Sequence, residues 1–141
     1  MQLFKCLSTG FILFNLVACI PYPVYKTIKP DVNFLVTDND KKPIDGVKII
    51  LNTRANPTPI NDFDIQYTNL KGMTTFAGKK EMKLENTGMH GALHYYWNLC
   101  IEKSGFKTIN QYSLGSSDLS GAKVIKLEAG KSETCVAGAK R

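Results

Sequence analysis

Two histidines, His90 and His94, stand four residues apart beside Met89. Imidazole and thioether are copper ligands, and on a helix that spacing would put both rings on one face. Gly88, Gly91 and the strand-like Tyr95-Tyr96 argue against a helix, and no further ligand is nearby. The sequence therefore assigns neither metal nor cofactor. Asp62 and Asp64 are two apart at a loop-to-strand junction, where a strand would put both carboxylates on one face, as general acid–base chemistry requires. Solvated loop acids are the commoner reading of such a pair. Asp38-Asn39-Asp40 has calcium-binding residue types but lacks the glycine and the distal glutamate of a calcium loop. Nucleophilic catalysis needs a Ser or Cys with a base and an orienting group, and no nucleophile-elbow motif occurs. The expected catalytic set is empty, and the chain is expected not to be an enzyme.

The remaining reactive side chains are four cysteines, Cys6, Cys19, Cys100 and Cys135. The first two lie in a leader-like segment. Met1 to Lys5 is a short n-region with Lys5 as its charge, followed by the apolar Phe11-Ile12-Leu13-Phe14 and Leu16-Val17-Ala18. That stretch is too short to span a bilayer, which takes about 20 apolar residues. It suits the h-region of a secretory signal, usually about 7–15 residues. Leu16-Val17-Ala18-Cys19 resembles the lipobox of bacterial lipoproteins. The resemblance implies that the Cys19 thiol receives a diacylglycerol, that the chain is cut before it, and that the new amine is often acylated. Ile20, where an Asp would favour retention in the inner membrane, implies the outer membrane. Residues 1–18 are then a signal peptide, residues 19–30 an extended tether and residues 31–141 the folded domain.

With Cys6 removed and Cys19 acylated, Cys100 and Cys135 are left in an oxidising compartment, where a disulfide is the default. They are 35 residues apart, and closing such a loop is worth roughly 4 kcal/mol in the chain-entropy view.

Loss of residues 1–18 removes Lys5 and lowers the net charge from +6 to +5. The lysines are spread out, with no run longer than the pairs Lys41-Lys42, Lys79-Lys80 and Lys140-Arg141. A nucleic-acid binder concentrates such charge on one element, so no nucleic-acid partner is expected. The basic surface is compatible with anionic headgroups or polyanionic glycans.

The elements that must position these groups have a period of two. Pro21, Pro23 and Pro30 make Cys19 to Pro30 an extended tether. Val32, Phe34 and Val36 alternate with polar residues, and so do Val47, Ile49, Leu51 and Thr53 and then Phe63, Ile65 and Tyr67. Met73 to Ala77 and Met82 to Leu84 are shorter candidate strands. In Tyr95 to Glu102, Trp97, Leu99 and Ile101 would face the core, which puts Cys100 on the other face beside Asn98, within reach of a C-terminal segment. Phe106 to Tyr112 and Lys123 to Leu127 follow, separated by a loop over Leu114 to Gly121. Seven or eight short strands without an amphipathic helix predict an all-β chain, a single antiparallel β-sandwich of about seven strands with a disulfide-pinned tail.

Three segments resemble, in order, the carboxypeptidase regulatory-like, transthyretin-like domains. They are Val36-Thr37-Asp38 through Lys42-Pro43-Ile44-Asp45-Gly46-Val47; Thr68-Asn69-Leu70-Lys71-Gly72 with Phe76; and Tyr96 to Ile101 with Lys103-Ser104-Gly105-Phe106-Lys107-Thr108. The resemblance implies a seven-stranded prealbumin-like sandwich used as an accessory or binding module. The enzymatic hydroxyisourate hydrolase branch ends in Tyr-Arg-Gly-Ser, which Val136 to Arg141 does not match, so that activity is not implied. The functional expectation is a lipid-anchored, non-enzymatic envelope module that binds an unidentified protein or glycan. The alternative is an inhibitor of a hydrolase such as lysozyme, acting through the 86–94 loop. Most of the aromatics are expected to fill the core of so small a domain; if any is exposed as part of a binding platform, Tyr96, the neighbour of buried Trp97, is the best candidate.

Overall fold

The structure is a computed structural model that describes residues 22–85 and 92–138. Every regular element among them is a strand: β1 Tyr22–Lys29, β2 Val32–Thr37, β3 Lys48–Asn56, β4 Asp62–Tyr67, β5 Met73–Phe76, β6 Lys79–Glu85, β7 His94–Glu102, β8 Ile109–Leu114 and β9 Gly121–Lys126. Seven of them make two layers, a three-stranded sheet in the order β5-β2-β9 and a four-stranded sheet in the order β4-β3-β7-β8. The other two, β1 and β6, form an antiparallel ribbon.

Alternation places the core between the layers. Val32, Phe34 and Val36 of β2 meet Val47 and, from β3 and β7, Ile49, Leu51, Trp97, Leu99 and Ile101, all of them buried. Phe76 closes the group edge-on to Phe34, with ring centroids 6.0 Å apart. Leu119 also enters this core at 2 % exposure, from a segment whose polar composition reads as loop.

The turn from β4 to β5, which carries the chain from one sheet to the other, and the first turn depend on side chains that complete backbone bonds. The Asp38 carboxylate accepts from the N–H groups of Asp40 and Lys42 at 2.8 and 2.9 Å, so this acidic cluster serves its own turn. Asn69 does the same for Lys71 and Met73. Gly72 has φ +70°, and a Cβ there would come within 2.5 Å of the Val36 carbonyl oxygen, so both conformation and space demand glycine.

Two expectations are corrected. The sandwich is not wholly antiparallel: β2 and β9 run parallel, from Val32 opposite Gly121 to Thr37 opposite Lys126. The segment expected to be a tether is, from Tyr22 to Lys29, a paired strand. Its prolines do not prevent this, because an extended backbone suits a strand and Pro is tolerated at strand starts and sheet edges. The ribbon prolongs the β2–β5 pair. Val32 lies opposite Phe76, and three residues further along each strand Lys29 lies opposite Lys79. The chains come so close at the join that a Cβ on Gly78 would be 2.8 Å from the Asp31 Cβ. The Trp97 indole N–H donates to the Ile28 carbonyl at 3.2 Å and fastens the ribbon to the core.

Candidate functional site

β3 reads from sequence as having one polar face, and the structure closes much of that face. Ile50 is fully buried, against Cys100, Cys135 and the partly buried Ala137. The cover is the chain after β9, which crosses the outside of the four-stranded sheet. After backbone bonds that join Glu128 to Lys107 and Gly130 to Gly105, it is fastened at Thr108, whose hydroxyl donates to the Glu133 carbonyl and accepts from the Glu133 N–H, both at 2.7 Å. Next the Cys135 N–H donates to the Glu102 carboxylate at 2.8 Å. The Cys100–Cys135 disulfide follows, with Cα atoms 5.9 Å apart. Last, the Gly138 N–H donates to the Asn52 side-chain oxygen at 2.7 Å.

Between this strap and the sheet lies a cleft of about 110 Å³, lined by Asn52, Asn98, Asn110, Tyr112, Glu133 and Val136 among others. The Asn98 oxygen accepts from the N–H of Ser113 at 2.9 Å, beside the register slip between β7 and β8. The side-chain oxygens of Asn52 and Asn98 are thus engaged by backbone, so what these two lining residues have left to offer a ligand is their NH₂ donors. With the phenol of Tyr112 and the Glu133 carboxylate, this wall can hydrogen-bond hydroxyl or amide groups of a ligand.

Apolar side chains flank the cleft. Phe63, Ile65 and Tyr67 are cross-strand neighbours of Asn52, Ile50 and Lys48, so they lie on this same outer face, exposed at 44 %, 37 % and 60 %. Tyr112 and Val136 are exposed on the other side. The alternation of β4 is legible in the sequence; that its apolar set points away from the core is not. Tyr96, the expected platform aromatic, is half-buried, because its strand is central between β3 and β8.

Opposite parity turns Asp62 and Asp64 toward the ribbon, and the two do share a face. Lys29 takes both: its Nζ is 2.7 Å from an Asp64 oxygen and 3.7 Å from an Asp62 oxygen. The hydrogen bond to Asp64 raises the lysine pKa, against the opposing effect of burial. The pair is an anchor for β1 rather than a free acid and base.

His94 opens β7 opposite Asn56 and is exposed. His90, Met89 and the rest of the 86–91 loop lie outside the described residues, as does Cys19. Among the described residues no three His, Cys, Asp or Glu side chains cluster to hold a metal. No protein-family description and no curated protein matches the chain.

Proposed function

We propose that this chain is a lipid-anchored module of the bacterial cell envelope that works by binding, attached through Cys19 in the outer membrane and carrying a transthyretin-like sandwich. The observation that carries the binding reading is the strapped outer face of the four-stranded sheet. A disulfide and four backbone-directed hydrogen bonds stiffen it. Exposed Phe63, Ile65 and Tyr67 share this outer face with a polar cleft that Tyr112, Asn52, Asn98 and Asn110 line. A rigid surface with aromatic contact area and a few oriented polar groups loses little entropy on binding. Amide donors beside a tyrosine suit the hydroxyl-rich face of a glycan or the polar rim of a protein.

Two experiments test it. Palmitate labelling should mark the wild-type chain and not Cys19→Ala; equal labelling of both would remove the anchor. Photo-crosslinkers placed in cells at Tyr67 or at Tyr112 should capture one recurrent partner, lost from the Tyr67 probe when the same surface carries Phe63→Ser and Tyr112→Ser. Crosslinks that survive these changes, with the fold intact, would locate the partner surface elsewhere. Recovery of a lysozyme, with inhibition in an activity assay, would select the inhibitor reading.

A further inference from the structure

The ribbon has two unlike faces. Cross-strand partners share a face, so Pro23, Tyr25 and Thr27 stand with Leu84, Met82 and Lys80 on one side. Tyr25, Met82 and Leu84 are 75 %, 60 % and 71 % exposed, and Pro23 is exposed too. The opposite side carries the ion pairs: Lys26 with Glu85 at 2.8 Å, and Lys83 with Glu81 at 2.7 Å. Glu85 is buried there and also accepts from the Leu93 N–H. In an ordinary two-stranded ribbon the exposed side would be the polar one. Here the polar side faces the protein and the apolar side faces out.

The ribbon's position in the chain supplies an occupant for that apolar side. Tyr22, paired with Glu85, is at the end of the ribbon away from its join to β2 and β5, and Cys19 is three residues before it. Three residues reach at most about 10 Å. With Cys19 acylated, the tip of the ribbon is held within reach of the bilayer surface, whose polar interface adds some 5–8 Å to each side of the hydrocarbon. The two strands together carry five lysines against two glutamates. Lys80, which stands on the apolar face, has no ion-pair partner among the described residues. Tyrosine at the headgroup level, aliphatic side chains beneath it and a lysine toward lipid phosphate form an interfacial contact.

We propose that the Pro23, Tyr25, Met82 and Leu84 face of the β1–β6 ribbon is a membrane-contact surface that seats in the interface of an anionic bilayer. The contact fixes the orientation of the sandwich above the lipid, and the inference rests on the reading of Cys19 as the lipidated residue. A second chain covering the same face is the competing occupant.

The test uses the full chain with a genetically encoded, environment-sensitive fluorophore replacing Leu84 or, as control, Leu70, an 84 % exposed residue of the β4–β5 turn. Each protein is reconstituted in phosphatidylethanolamine–phosphatidylglycerol vesicles with acyl chains brominated or not. Circular dichroism checks the fold, and the mass of the Cys19 peptide reports acylation separately. Position 84 should shift to the blue and lose at least half its emission to brominated lipid, while position 70 stays unchanged. An acylated protein that floats with vesicles but whose position 84 is as unquenched as position 70 would overturn the contact and keep the anchor. An unacylated protein still quenched at position 84 would keep the contact and overturn the anchor; without quenching, both fall. Blue-shifted emission at position 84 without lipid, together with a dimeric mass, would assign the face to a second copy and overturn the proposal.

Discussion

Thr108 and Glu133 hold each other twice: one hydroxyl both donates to the Glu133 carbonyl and accepts from its N–H, at 2.7 Å each way. The two residues are 25 apart in sequence, and the clasp holds the strap just before the disulfide does. A hydroxyl with both functions used is hard to replace. Thr108→Val keeps the shape and removes both bonds. It is expected to cost about 1–2 kcal/mol and to speed amide exchange at Glu133 and Cys135 while β2 and β9 stay protected. Uniform loss of protection across both sheets would show that the strap is not a separate unit.

Opening the disulfide acts on the same strap more strongly. Cys100→Ala with Cys135→Ala releases a loop of 35 residues and is expected to destabilise by about 2–4 kcal/mol. Ile50 lies beneath it, so part of the effect is lost burial. Chemical denaturation of the pair of proteins measures the cost. A difference below about 1 kcal/mol would mean that the hydrogen bonds alone hold the tail.

Thr68 is 4 % exposed; its hydroxyl accepts from the Val47 N–H at 2.9 Å and donates to the Ile44 carbonyl at 2.7 Å. Thr68→Val leaves a buried N–H without its partner. The expected loss is about 1–3 kcal/mol, read as a lower midpoint in urea with unchanged slope. Thr68→Ser, which keeps the hydroxyl, should recover most of it.

The ribbon should loosen in acid before the sandwich does. Hydrogen bonds from Lys79 and Lys83 lower the Glu81 pKa from 4.5 to about 2, and Lys26 lowers that of Glu85 against the effect of burial. A carboxyl group with a depressed native pKa binds fewer protons folded than unfolded. Its contribution is therefore present above about pH 4.5 and is lost as pH falls toward 2. Amide exchange in β1 and β6 relative to β3 and β7, compared at pH 6 and pH 3, should show protection falling in the ribbon first. Equal protection at both pH values would leave these ion pairs without a role in the pairing.

Much of the fold is legible from residue order alone, because a strand with one buried face writes its period into the sequence. Val32-Phe34-Val36 and Trp97-Leu99-Ile101 mark their own inward faces, and the parity that buries Trp97 puts Cys100 outside, where Cys135 meets it. The turns are local too, since Asp38 and Asn69 bond to amides within four residues. Tertiary structure decided whatever depends on distant partners. Period two says that Phe63, Ile65 and Tyr67 share a face but not which one; pairing with β3, and Lys29 drawing Asp62 and Asp64 to the other side, turned them outward. The segment from Tyr22 to Lys29 looks like a tether because its prolines specify only extension. Pairing it with β6, 50 or more residues away, made it a strand and left Tyr25, Met82 and Leu84 side by side on an open face. Parallel β2–β9 pairing and the burial of Leu119 are likewise invisible locally, since each is fixed by contacts that no short window of sequence contains.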